Sequence, residues 1–430
     1  MDVFQIIAAL ITVSALFAYA NYRWLRLPTT VGLMALTLVF SLALIATCRL
    51  FPSVEAQVVA IVGRIDFNRT LLHGMLGFLL FAGALHLDLN DLTGRKLLVA
   101  TLATASVLIS TLLVGMLAWW LLPVLGLEMQ LIYCLLLGAL ISPTDPIAVL
   151  GMLKRVGAPK DVEVTIAGES LFNDGVGVAV FLALLGIATE GGTSGPGLLA
   201  AAFLKEAVGG AVFGLAVGLL AYLLLRSVDN YPVEILLSLA VAAGGYASAD
   251  ALRVSAPITV VVAGLLIGNH VRAFAMSPRT VERLDLFWEL VDELLNAVLF
   301  VLLGLEVLAL TITTRYLAAG LLLIPVTLLA RWASVGLPVT LLRRWQPIGR
   351  NMVWLLTWGG LRGGISVALA LSLRERATWG GESQRELILT ITYVVVVFSI
   401  LLQGLTVGPL IRRLLKTPDV AKLNTPHPPT

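Results

Sequence analysis

Thirteen long apolar segments dominate this sequence of 430 residues and leave few folds open to it. A helix that crosses a bilayer needs about 20 apolar residues, and the segments are continuous, without the alternation of a membrane β-barrel. Backbone groups in lipid must be paired inside helices or closed barrels. The sequence therefore predicts an all-α polytopic membrane protein with about 13 transmembrane helices. We number them spans 1 to 13, at 3–21, 30–47, 70–87, 97–124, 130–153, 163–189, 199–225, 232–249, 255–271, 286–310, 316–342, 350–373 and 387–411.

The composition excludes several other classes of protein. Only 13% of the residues are charged, which is about half the share in soluble domains. A net charge of +3 gives no basic surface for nucleic acid, and the two cysteines lie in apolar segments. The chain has four histidines and none of the ATP-binding, zinc-protease or serine-hydrolase motifs. We therefore expect neither an enzyme nor a protein with a cofactor.

The basic residues predict the orientation in the membrane. Asp2 precedes span 1, whereas Arg23 and Arg26 follow it, so we expect a retained helix rather than a signal peptide. Of the 29 Lys and Arg residues, 18 lie on one side of the spans and 8 on the other. Cytoplasmic loops of membrane proteins contain more Lys and Arg than the loops on the other side. This predicts a multi-pass protein of the cell membrane with the N-terminus outside and the C-terminus in the cytoplasm.

Span 5 contains the segment Ser142-Pro143-Thr144-Asp145-Pro146. Two prolines three residues apart remove backbone donors and break a helix, and they leave free backbone groups beside the Asp145 carboxylate. Such backbone survives at membrane depth only where it lines a cavity or is buried in protein. The segment is therefore a candidate functional site inside the membrane. A purely structural alternative is a proline kink in which Asp145 caps the second half-helix.

Span 6 places a set of polar side chains on one helical face. Ser170, Asn173, Asp174 and Gly177 follow the i, i+3, i+4, i+7 spacing, and Glu169 lies one turn before Asn173. Carboxylate and hydroxyl oxygens bind small, hard cations. This face therefore predicts a site for a transported cation.

Span 12 contains four glycines around Arg362 and is expected to be a second broken helix. Arg362 keeps its charge and needs an anion, for which Glu169 and Asp145 are the candidates. Spans 5 and 12 correspond if spans 1–6 and 8–13 are inverted repeats, and paired broken helices mark transporter sites. Arg331 in span 11 is expected to extend to the interface or to bind an acidic lipid head group.

The motifs at 142–146, 168–175 and 358–363, with Asn296 and Phe300 to Glu306, resemble the cation:proton antiporter family of the NhaP and sodium/proton exchanger type. The resemblance implies inverted six-helix repeats, a homodimer and exchange of Na⁺ or Li⁺ for H⁺ across the bilayer. K⁺/H⁺ exchange and, less favoured, transport of a small organic solute are alternatives.

The resemblance also implies roles for the residues. Asp174 would carry the ion and the proton, with Asp145, the Thr144 backbone and Ser170 around the ion. Glu169 would pair with Arg362 and hold Asn173. The Asn-Asp pair at 173–174 is similar to electroneutral members. Some relatives have a glutamate where this chain has Ala82, so one supporting carboxylate is absent here.

The same resemblance divides the chain into parts. We expect scaffold and dimerisation helices 1–3 in residues 1–94, and ion-transporting core helices 4–6 in residues 95–190. Scaffold helices 7–10 are expected in residues 195–310, and core helices 11–13 in residues 313–415. Residues 416–430 are expected to form a cytoplasmic tail.

Overall fold

The protein is described here from a computed structural model. The described residues are 3–51, 75–189, 196–310, 313–346, 348–349, 351–373 and 382–415. The described part contains many helices and no β-strand, which confirms the all-α prediction, and the expected tail at 416–430 lies outside it. Nine segments of the described residues have the length and apolar composition to cross a membrane, and two further apolar helices are shorter.

The helices follow the predicted spans in order. Spans 1 to 3 contain Val3–Ala20, Thr29–Leu50 and Leu76–Leu85. Span 4 contains Lys96–Thr101, a π-helical turn at Leu102–Ser106, and Val107–Leu121. Span 5 contains Leu131–Ile141 and Ile147–Val156, and span 6 is Lys160–Thr189. Spans 7 and 8 are Pro196–Arg226 and Tyr231–Ala251.

The second half continues in the same way. Span 9 contains Ala256–Leu266, a π-helical turn at Ile267–Val271, and Arg272–Ala275. Spans 10 and 11 are Pro278–Leu305 and Thr314–Leu342. Span 12 contains Met352–Gly359 and Gly364–Leu371. Span 13 contains Glu382–Phe398, a π-helical turn at Ser399–Gln403, and Gly404–Leu415. Short helices occur at Leu89–Thr93, Leu122–Leu125 and Glu306–Ala309.

Spans 5 and 12 are broken helices, as predicted. The helix is open over residues 142–146 in span 5 and over residues 360–363 in span 12. Proline alone does not explain the opening, because span 11 runs unbroken through Pro325 and Pro338. Span 5 loses two backbone donors within four residues, and span 12 has four glycines around its opening, so in both the helical hydrogen bonds fail together.

Span 10 begins eight residues before its predicted start at 286. Ser277 accepts a hydrogen bond from the backbone N–H of Thr280 at 3.4 Å, and Pro278 occupies the first turn. A serine N-cap followed by proline is a favourable helix start. The added turns carry charged residues, so span 10 begins with a polar segment before its apolar part.

Close packing between spans 7 and 9 depends on glycines that the sequence analysis did not identify. Gly210, Gly214 and Gly218 follow a four-residue spacing on span 7 and face span 9. A methyl group built at Gly214 would lie 2.5 Å from the carbonyl oxygen of Thr259. Small residues at this spacing allow two helix backbones to approach closely in lipid.

Candidate ion site

The two open segments of spans 5 and 12 cross each other. The Asp145 N–H donates to the Leu361 carbonyl at 2.7 Å, which forms an isolated antiparallel bridge between them. Glycine is required at this crossing, because a methyl group built at Gly363 would come within 2.6 Å of Asp145 Cβ. The bridge therefore holds the Asp145 backbone against span 12.

Asp145 begins the second half-helix of span 5. Its Oδ1 accepts a hydrogen bond of 2.9 Å from the Ile147 N–H, and its side chain is half-buried. A carboxylate at a helix N-terminus is favourable, because the exposed N–H groups there carry partial positive charge. The capping role that the sequence left open is present, and the second carboxylate oxygen, Oδ2, lies beside Gly363.

Arg362 stabilises the other half-helix of span 5. Its Nη1 donates to the carbonyl oxygens of Ser142, at 2.5 Å, and Pro143, at 3.0 Å. Both carbonyls lack their usual helical donor, since Pro146 has no N–H and the Ile147 N–H is used by Asp145. A buried guanidinium at this C-terminal helix end satisfies the free carbonyls and opposes their partial negative charge.

Asn173 connects the broken span to span 6. Its Nδ2 donates to Thr144 Oγ1 at 2.7 Å and to Glu169 Oε1 at 3.0 Å. The Thr144 N–H donates to Asn173 Oδ1 at 3.3 Å, and Thr144 Oγ1 lies 3.1 Å from Ser170 Oγ. All four side chains are buried. The structure therefore brings Thr144, Ser170, Asn173 and Glu169 together, as the sequence predicted.

Asp174 lies next to this network without joining it. Its side chain is buried and lies within electrostatic range of Asp145 and Glu169. Its carboxylate makes no hydrogen bond to any residue in the described ranges. Asp174 is thus a buried carboxylate near two others, with its oxygens available to a ligand.

Glu169 pairs with a different arginine from the one predicted. Arg331 Nη2 lies 2.8 Å from Glu169 Oε1 and donates to Oε2 at 2.9 Å, and both side chains are about 2% exposed. Arg362 instead uses its Nη1 for the span 5 carbonyls, so the predicted Glu169–Arg362 ion pair is wrong for this structure. The prediction that Glu169 holds Asn173 agrees with the hydrogen bond between them.

Arg331 is the residue of this cluster that the sequence analysis misplaced. It is buried, its Nε donates to the Leu356 carbonyl at 3.3 Å, and it does not extend to the interface. Gly360 gives it room, because a methyl group there would lie 2.8 Å from Arg331 Nε. Three residues after Arg331, Ser334 hydrogen-bonds to Ser106 of span 4 at 3.2 Å. Ser334 lies one helical turn after Arg331, and this pair of polar residues in the sequence could have indicated that this face of span 11 is buried in the protein.

The available ligands are oxygens from carboxylate, hydroxyl and backbone groups. Within the described residues no group of three or more His, Cys, Asp or Glu side chains is arranged to hold a metal ion. Oxygen ligands of this kind suit a weakly bound alkali cation better than a transition metal. Ala82 is fully buried in span 3 and adds no ligand.

Two crossed broken helices beside buried carboxylates define a class of membrane protein, the secondary transporters with internal repeats. Residues 12–413 match the family model described as the transmembrane sodium/hydrogen exchanger. The chain belongs to the sodium/hydrogen exchanger family.

Individual relatives match over almost the whole chain. The chain is 49% identical over 428 residues to the Na⁺/H⁺ antiporter NhaP of Pseudomonas aeruginosa, covering 98% of this chain and 100% of the relative. It is 33% identical over 417 residues to the Na⁺/H⁺ antiporter NhaH of Halobacillus dabanensis, covering 96% and 98%.

A solved structure shares the fold. The sodium proton antiporter MjNhaP1 from Methanocaldococcus jannaschii at pH 8 matches with a TM-score of 0.75 and 21% identity, covering 97% of this chain and all of that one. The likeness agrees with the membrane fold predicted from the sequence.

Proposed function

We propose that this protein is a secondary active antiporter that exchanges Na⁺, or Li⁺, for H⁺, with Asp174 as the carrying group. The single observation that carries the proposal is the buried Asp174 carboxylate, which has no hydrogen-bond partner among the described residues. It lies within electrostatic range of Asp145 and one helical turn after Ser170. The names of the relatives at 49% and 33% identity support the choice of ions.

Competition at Asp174 provides the coupling. A carboxylate in a desolvated site is stable when its charge is neutralised, and either a proton or a cation can do this, but not both at once. Each species then permits the loaded site to be exposed alternately on the two sides of the membrane. Asp145 Oδ2, Ser170 Oγ and the Thr144 backbone oxygen would complete the cation's ligands.

The stoichiometry follows from the fixed charges. Glu169 is neutralised by Arg331, and Asn173 cannot carry a charge. Asp145 is held at a half-helix N-terminus by the Ile147 N–H, and we assign it no change of protonation in the cycle. One Na⁺ therefore exchanges for one H⁺ without net movement of charge.

The division into parts also belongs to this proposal. Spans 4 to 6 and 11 to 13 would move as the ion-transporting core against spans 1 to 3 and 7 to 10, which would form the scaffold and the contact of a homodimer. The protein would lie in the cell membrane with its N-terminus outside, where it would serve pH homeostasis. K⁺/H⁺ exchange is the alternative cation choice.

Purified protein in liposomes with an imposed pH gradient tests the proposal. Na⁺, Li⁺ and K⁺ are added in turn, and a fluorescent probe reports the dissipation of the gradient. We expect Na⁺ and Li⁺ to dissipate it, and Asp174→Asn to abolish the response because the variant keeps the side chain's size and loses its charge. Asp250→Asn, at an exposed position near the end of span 8, is the matched control and should transport normally.

Folding of each variant is checked by size-exclusion chromatography in detergent. Na⁺-dependent proton flux in a folded Asp174→Asn variant would contradict the assignment of the carrier. A response to K⁺ alone in the unmodified protein would favour the alternative cation.

A further inference from the structure

One face of span 10 leads toward the ion site. Glu289, Asp292 and Asn296 share this face, with the i, i+3, i+7 spacing of neighbouring helical turns. Their exposure falls along the helix: Glu289 is exposed, Asp292 is half-buried, and Asn296 is 4% exposed. The face therefore runs from the start of span 10 into the protein interior.

Packing against span 12 shows that this face approaches the crossing of the broken helices. Leu299, one turn beyond Asn296, packs on Gly364, where a methyl group would lie 2.9 Å from Leu299 Cδ2. The neighbouring Gly363 contacts the Asp145 side chain. The Asp292 carboxylate is within electrostatic range of Asp145.

The side chain of Asn296 is a buried amide whose hydrogen-bonding groups are not satisfied by described residues. It faces the Asp292 carboxylate one turn earlier on span 10. Neither its Nδ2 nor its Oδ1 makes a hydrogen bond of normal geometry to a described residue. Burying an unpaired amide is unfavourable, so its position calls for a ligand that the protein itself does not provide.

We propose that Asp292 and Asn296 form a second cation site, which Na⁺ occupies before it moves to Asp145 and Asp174. The Asp292 carboxylate and Asn296 Oδ1 would supply hard oxygen ligands. Asp145 Oδ2 accepts no hydrogen bond from a described residue, since the Ile147 N–H binds Oδ1, and it can receive the ion next. The inference rests on the proposed exchange at Asp174. In the predicted orientation the site faces the cytoplasm.

The test measures the apparent KM for Na⁺ separately on the two sides, in right-side-out and inside-out membrane vesicles. Asp292→Asn and Asn296→Ala should each raise this KM about tenfold on the side where span 10 begins, which equals about 1.4 kcal/mol of lost binding. The maximal rate at saturating Na⁺ should be unchanged. Asn296→Asp, which keeps an oxygen ligand, should restore a KM close to that of the unmodified protein.

Glu293→Gln is the matched control, because Glu293 is the next residue on span 10 and is exposed. It removes the same charge from the same helix, and we expect its KM to change less than about twofold, as for a screened surface charge. An equal rise in KM for Glu293→Gln would overturn the discrete site in favour of a general surface potential. A lower maximal rate with unchanged KM in both Asp292→Asn and Asn296→Ala would also overturn it.

The two proposals fail in different ways. If Asp174→Asn abolishes exchange while Asp292→Asn leaves the KM unchanged on both sides, the second site is absent and the proposed function stands. If the unmodified protein shows no Na⁺-dependent proton flux, the proposed function itself fails.

Discussion

The buried pair of Glu169 and Arg331 makes a quantitative prediction about stability. Removing one partner leaves the other as an uncompensated charge inside the protein. We therefore consider Glu169→Gln, Arg331→Met and the double variant, together with Arg362→Met as a comparison. Gln at 169 keeps an oxygen that can accept from Asn173, so the first variant removes the charge and retains that contact.

The structure indicates the size of the effect. Both side chains are about 2% exposed, and Arg331 Nη2 contacts both carboxylate oxygens at 2.8 and 2.9 Å. Breaking such a pair costs about 3–5 kcal/mol of the free energy of unfolding. The double variant buries two neutral side chains, so it should lose less than the sum of the single variants, with a coupling energy of about 2 kcal/mol.

The assay is unfolding by SDS titration of the protein in mild-detergent micelles, with the free energy of unfolding measured for each variant. The control is the pair Lys160–Asp91 at the protein surface, whose Nζ–Oδ2 distance is 2.6 Å and whose side chains are 72% and 29% exposed. Asp91→Asn should leave the unfolding free energy within experimental error, because water and salt screen exposed pairs.

The comparison with Arg362→Met tests which of the two arginines pairs with Glu169. Glu169→Gln and Arg362→Met should be much closer to additive, since Arg362 is occupied by the carbonyls of Ser142 and Pro143. Coupling of Glu169 that is stronger with Arg362 than with Arg331 would refute the pairing. Additivity of Glu169→Gln with Arg331→Met would show that the buried contact contributes nothing as a pair.

Two further predictions concern transport. Ser170→Ala should raise the apparent KM for Na⁺ in liposomes because it removes a ligand oxygen. Thr144→Ala should raise this KM less, because the cation uses the Thr144 backbone oxygen. Equal increases in KM would argue for the Thr144 hydroxyl as the ligand. Exchange should not respond to a K⁺/valinomycin potential, because 100 mV would change the energy of each uncompensated charge by about 2.3 kcal/mol; a rate that changes clearly with voltage would contradict one-for-one exchange.

The broken helices could be predicted because their causes are local. The Pro-x-x-Pro spacing removes particular backbone donors, and the glycine cluster around Arg362 weakens the helix wherever it folds. The polar face of span 6 was predictable for the same reason, since helical spacing alone places Ser170, Asn173 and Asp174 together. These features use only residues within one turn or two of each other.

The partner of Glu169 could not be predicted in this way. Arg331 and Arg362 both lie in apolar spans far from Glu169 in sequence, and charge alone does not choose between them. Glu169 pairs with Arg331 because Arg362 is already bound to the Ser142 and Pro143 carbonyls. Those carbonyls are free only after Pro146 and the cap at Asp145 have opened span 5. The choice depends also on Gly360, which leaves space for Arg331 beside span 12.

The different partners of Arg331 and Arg362 support the proposal that Asp174 is the carrier. Arg331 neutralises a fixed carboxylate, and Arg362 neutralises the fixed C-terminal end of a half-helix, so neither positive charge is paired with Asp174. Asp145 is held by the opposite half-helix end. Among these buried groups, Asp174 is left as the carboxylate whose charge only a mobile species can neutralise. In such a site only Asp174 binds or releases an ion in each half of the transport cycle. Under this condition a proton and a sodium ion exchange one for one.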